Sequence, residues 1–160
     1  LGIMAGLFIA VHCGDGLGEM LGVGYEVRNF GHSGATLLNH GHRPYTQQQA
    51  YRNAVAFAPD KAIIHLGLND TDPRNWPNYR DEFYGDYMNI INELRNANPK
   101  VEVYVCRMTP IFHWHRRFKS GTRDWYWQIQ EVIEDIAKYG NGGMCLNCEI
   151  CSFPHCSFGK

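Results

Sequence analysis

The chain has 160 residues, 44% of them hydrophobic and 19% charged, with a formal net charge of -1 at pH 7. A length of this order holds one domain whose core needs no covalent staples. The near-neutral balance removes the electrostatic case for nucleic acid or an anionic membrane as partner, and the short basic stretch at Arg107 and from His113 to Lys119 does not restore it.

The opening run LGIMAGLFIAVHC is too short to span a bilayer. It lacks the basic leading segment of a secretory signal, and His12 stands where a small residue should precede a cleavage or lipidation cysteine. A buried first strand from Gly6 to His12 is therefore expected, and a periplasmic or secreted location and a cytoplasmic one both stay open. YEVRNF (25–30) reads as the second strand. Gln47 to Phe57 reads as a helix ended by Pro59. KAIIHLG (61–67) is a third strand, with His65 in its middle. In Asp81 to Asn96 the residues Phe83, Tyr84, Tyr87, Ile90, Ile91 and Leu94 recur at helical spacing, and Pro99 follows. VEVYVCRM (101–108) is the fourth strand and holds Cys106 as a buried thiol. Thr122 to Tyr139 repeats the helical pattern through Trp125, Ile129, Val132, Ile133 and Ile136, closed by Gly140.

Strands alternating with helices imply a parallel sheet with helices on both faces, and ligands bind beyond the carboxyl ends of such strands. Those ends read Gly14-Asp15-Gly16, Gly31-His32-Ser33-Gly34, Gly67-Leu68-Asn69-Asp70 and Thr109-Pro110. Each is small or polar. The Asn69 side chain is a neutral double donor on a rigid strand end, and Gly34 offers a backbone N–H that no side chain obstructs. At adjacent strand ends, facing one cleft, the two make an oxyanion hole. The competing reading takes Asn69-Asp70-Thr71-Asp72 as a local Asx turn or helix cap.

NFGHSGAT at 29–36 followed by HLGLND at 65–70 resembles the second and third sequence blocks of the SGNH hydrolases, the GDSL esterase/lipase family. The wider stretch from Gly24 to Tyr139 is similar to its bacterial carbohydrate or sialate O-acetylesterases. The resemblance implies a flavodoxin-like, three-layer α/β/α sandwich, no cofactor, and a small acyl ester or acetylated sugar as partner. It also implies that Gly34 and Asn69 are the oxyanion donors. Two family features are absent. Gly16 occupies the place of the block-one serine, and the Asp-x-x-His motif that supplies the base is replaced near the end by Ser152-Phe153-Pro154-His155, which leaves His155 as the candidate base. The expected domain spans 1–143 and is altered or truncated at both ends, with a cysteine-rich tail over 144–160.

Three further features compete for a role. GHSGA at 31–35 approximates the Gly-x-Ser-x-Gly elbow, between a strand and a helix, and makes Ser33 an alternative nucleophile. Cys145, Cys148, Cys151, His155 and Cys156 have the chemistry of a zinc or cluster site but imperfect spacing, so no metal is expected. IFHWHRRF (111–118) offers Phe112 and Trp114 to stack on a sugar, and His32 lies beside Gly34. Two functions follow: a small-ester hydrolase, or a catalytically silent relative that binds a carbohydrate or ester. Oligomeric state stays open.

Overall fold

The structure, a computed structural model, describes residues 5–9, 21, 23–110, 121–140 and 143–146, with backbone alone for 5–9 and 143–146. Five strands, β1 (Ala5–Ile9), β2 (Tyr25–Asn29), β3 (Lys61–Ile64), β4 (Glu102–Cys106) and β5 (Gly143–Leu146), form one sheet in the order β2-β1-β3-β4-β5. All four pairings are parallel. The long connecting helices are α1 (Gln49–Phe57), α2 (Phe83–Ala97) and α3 (Thr122–Tyr139), and a single helical turn, Trp76–Tyr79, precedes α2.

The order explains where the helices go. The connection from β1 to β2 runs one way along the sheet, and the next three run the other way. Crossovers of one hand then put α1, α2 and α3 on the same face, in keeping with the contacts of α2 with both α1 and α3. Burial along the strands agrees: Ala62, Ile64, Val103 and Val105 are buried, while Lys61, Ile63 and Tyr104 on the alternate face are half-buried. The expectation of helices on both faces is thus met on one face by the described residues.

α3 shows how local pattern becomes packing. Tyr126, Ile129, Ile133 and Ile136 recur on one stripe and are buried, whereas Trp127 and Tyr139 face out. The Tyr126 hydroxyl donates to the Met108 carbonyl at 3.2 Å, and Gln130 accepts the Met108 N–H at 3.0 Å, so the helix grips the chain as it leaves β4. In α2, Phe83, Tyr87, Ile90, Ile91 and Leu94 fill the space between the sheet and its neighbours.

Three expected boundaries change. β1 starts earlier than Gly6 and ends at Ile9 among the described residues. β3 stops at Ile64, so His65 lies just past the strand end, half-buried, with Nε2 at 3.4 Å from Thr109 Oγ1. The sheet also continues past 143: β5 includes Cys145 and pairs with β4, so the cysteine-rich stretch begins as part of the domain. Among the described residues no helix is long and apolar enough to cross a membrane.

Candidate active site

β1 lies between β2 and β3: Ile9 pairs with Asn29 on one side and Ile63 on the other. The expectation that Gly34 and Asn69 stand at adjacent strand ends is therefore corrected. They are brought together by a long loop. Residues 30–48 leave β2 and reach the β3 end across the mouth of β1, the point where the strand order reverses and where such sheets bind ligands.

The β3 side is fixed by packing. Gly67 has φ 122°, a conformation open to glycine, and a Cβ there would meet Ile129 Cγ2 and Met108 Sδ at 3.2 Å and Ile133 Cδ1 at 3.3 Å. The bare backbone lets α3 close on the strand end. A tight helical turn, Leu68–Thr71, follows and projects Asn69, whose Nδ2 donates to the Ala35 carbonyl at 2.9 Å. Its backbone carbonyl accepts from Asn75 Nδ2 at 2.9 Å.

The loop side is fixed by side chains reaching from the other segment. Asp70 is fully buried, and its Oδ2 and Oδ1 accept the N–H groups of Leu37 and Leu38, each at 2.9 Å. Asp86 does the same for Asn39, accepting its N–H at 2.8 Å and its Nδ2 at 2.7 Å. The buried Asn75 accepts the His42 N–H at 3.0 Å. Within the loop, Thr36 N–H donates to Arg43 O and Tyr45 N–H to Thr36 O, both at 2.8 Å, and the Tyr45 hydroxyl donates to Phe30 O at 2.8 Å. Gly34 turns at φ +76°, and the Ala35 N–H donates to the His32 carbonyl at 3.1 Å. Gly34 and the Asn69 carboxamide thus meet through Ala35.

Burial pushes the Asp70 carboxyl up to about 7; the N–H groups of Leu37 and Leu38 and its own amide pull the other way, and Asp86 adds repulsion that raises it. The acid after Asn69 therefore serves the loop and not its own turn alone. The pair does two jobs: the carboxamide meets the Gly34–Ala35 turn, and the carboxylate holds the next residues of the same loop.

Ser33 is exposed on the turn, and its carbonyl accepts from Arg43 Nη1 at 3.1 Å. Irregular chain and a short 3-10 turn, Tyr45–Gln47, separate it from the helix at Gln49, so the strand-then-helix setting of a nucleophile elbow is absent there. His32 is half-buried on the same turn. Gly16, Phe112, Trp114, His155 and the tail cysteines Cys148, Cys151 and Cys156 lie outside the described residues. Among the described residues no group of His, Cys, Asp and Glu has the arrangement of a metal site. Asp70, Asn75 and Asp86 were missed as site-forming residues; the signal available was Asp70's place directly after a buried strand and its turn.

A family model described as the GDSL-like Lipase/Acylhydrolase family matches residues 6–151. The chain belongs to this family. Among curated proteins it is similar to an acetylxylan esterase of Xylanibacter ruminicola, 47% identical over 76 residues. That alignment covers 48% of this chain and 16% of the relative, so the chain spans a small part of that protein's length. As a GDSL-like acylhydrolase domain, the chain brings its block-two and block-three segments together at the β1 switch point.

Proposed function

We propose that this chain carries the acyl-ester site of a carbohydrate O-acetyl esterase, with the Gly34 N–H and the Asn69 carboxamide as donors to the carbonyl oxygen. The observation that carries the reading is the hydrogen bond from Asn69 to Ala35, which sets the carboxamide against the Gly34 turn. Attack on an ester carbonyl moves negative charge onto its oxygen, and donors already fixed by buried contacts stabilise that charge without reorganising. The similarity to an acetylxylan esterase supports an O-acetylated sugar as the substrate class. The family match also favours the three-layer α/β/α form for the complete fold.

Gly16 favours a second reading. It stands in the serine position of block one and has no hydroxyl to form an acyl-enzyme. The chain with Gly16 keeps the stabilising half of the machinery, binds acetylated ligands, and turns them over very slowly or not at all.

The test is acetate release from, and direct binding of, acetylated xylo-oligosaccharides. Binding that Asn69→Ala weakens supports the site. No binding by the folded chain overturns it. Rapid turnover abolished by Ser33→Ala would show that the nucleophile is Ser33 and that the silent reading is wrong.

A further inference from the structure

At the outer lip of the same site stands a cation, Arg43. Arg43 is exposed, yet its guanidinium is not loose: Nη1 donates to the Ser33 carbonyl at 3.1 Å. The same nitrogen lies 3.3 Å from where a Cβ on Gly34 would be, and Arg43 Cδ lies 3.8 Å from it. The cation therefore occupies the space beside Gly34 that a side chain would otherwise fill.

Several surface arginines are neutralised by a neighbouring carboxylate, whereas Arg43, like Arg52 with its bonds to the Gln49 side chain and the Gln47 carbonyl, is not. Arg28 pairs with Glu26, Arg74 with Asp72, Arg80 with Asp81 and Arg107 with Glu134. Arg43 has no carboxylate within ion-pair distance among the described residues, and one contact to a neutral carbonyl leaves most of its five N–H donors unassigned by the fold. A guanidinium anchored at one nitrogen presents the rest of its fork in a set direction, a geometry suited to a carboxylate.

We infer that Arg43 is a specificity-determining residue of this site, selecting acetylated sugars that carry a carboxylate, of the uronate type, close to the ester over neutral ones. The inference rests on the proposed acyl-ester site, since its meaning depends on a substrate seated at Gly34. The carboxylate lies beyond the acyl group, on the sugar, and Arg43 takes no part in bond making. An exposed ion pair of this kind contributes about 0.2–1 kcal/mol, which corresponds to a preference of up to about fivefold.

The test measures binding of two probes to the full chain: an acetylated neutral xylo-oligosaccharide and an acetylated oligosaccharide bearing a glucuronate side group. Wild type should prefer the acidic probe by about threefold to fivefold at low salt, and the preference should shrink as salt rises. Arg43→Gln should remove it while leaving the neutral probe's affinity within about twofold, and Arg43→Lys should retain part of it. Equal affinities in wild type, or a preference that survives Arg43→Gln, overturns the inference. Failure of the underlying site looks different: neither probe binds, or Asn69→Ala changes neither affinity.

Discussion

The two segments that meet at the site are held by opposite means. The segment after β3 is set by volume: Gly67 gives Ile129, Ile133 and Met108 room to approach, and the turn that follows projects Asn69. The loop from Phe30 to Thr46 is set by polar side chains from elsewhere, with Asp70, Asp86 and Asn75 supplying acceptors to its backbone. A tightly packed segment tolerates polar change and fails on added volume. A loop held by buried acceptors does the reverse. Each half of the proposed oxyanion site should therefore break under a different substitution.

The largest effect is expected at Gly67. An alanine there must adopt φ 122° and push its methyl against Ile129 and Met108. Backbone strain and overpacking together cost about 2–5 kcal/mol. Chemical denaturation should show that loss. A change below about 1 kcal/mol would mean that α3 yields easily and does not define the turn.

Asp70→Asn comes next. The amide retains one acceptor but turns an NH2 toward an N–H of Leu37 or Leu38, costing about 1–3 kcal/mol for the buried donor left unpaired. The pH dependence carries a sharper signature. The unfolded carboxyl ionises near 3.8 and the folded one near 7, so between these values the folded state keeps a proton that the unfolded state releases. The contribution of this proton is complete below about 3.8 and is lost as pH rises to about 7. Relative to Asp70→Asn, wild type should thus lose stability across that window. Parallel profiles for the two proteins would show that Asp70 does not titrate there.

How much of this was legible in the sequence depends on the range of the interaction. The apolar period of α3 is local, and its ends at Thr122 and Tyr139 were readable to the residue. Strand order is not local, so nothing in the residues around Gly34 and Asn69 told that β1 would separate their strands. β5 was hidden for a similar reason: Gly143–Leu146 sits among closely spaced cysteines, and only its pairing with β4 makes it a strand. Asp70 looked like a turn residue because Asx side chains usually serve their own turn. Its partners are Leu37 and Leu38, in a different segment altogether. The motif blocks marked where chemistry could reside, while the network joining them had to be seen.

A moderate effect is expected where the loop is fastened a second time. Asn39 donates both its N–H and its Nδ2 to Asp86, and its Oδ1 accepts from Thr46 Oγ1 at 2.5 Å. Asn39→Ala removes the side-chain bonds and leaves the backbone one. The loss should be about 1–2 kcal/mol, since two partly buried side-chain hydrogen bonds go, with faster amide exchange around Thr46 and little change in α3. Equal acceleration in α3 would show that the two halves are not independently held.

The smallest effect is expected at Asp72, two residues from Asp70 and its opposite in every respect. Arg74 bonds it in the side-chain fork, Nε to Oδ1 and Nη2 to Oδ2 at 2.8 Å each, and this pulls the Asp72 carboxyl down to about 2. The Asp72 carboxyl is more than a quarter exposed and the Arg74 side chain is 66% exposed, so solvent screens the pair and its pKa does not translate into comparable stability. The sign is that of a depressed acid: any contribution is present above 3.8 and lost as pH falls toward 2. Arg74→Ala should return the Asp72 titration, followed by NMR, toward the usual carboxylate range while leaving the denaturation midpoint at pH 7 almost unchanged. A midpoint that drops as far as it does for Asp70→Asn would mean that the outer ion pair, and not the buried carboxylate alone, fastens the turn that carries Asn69.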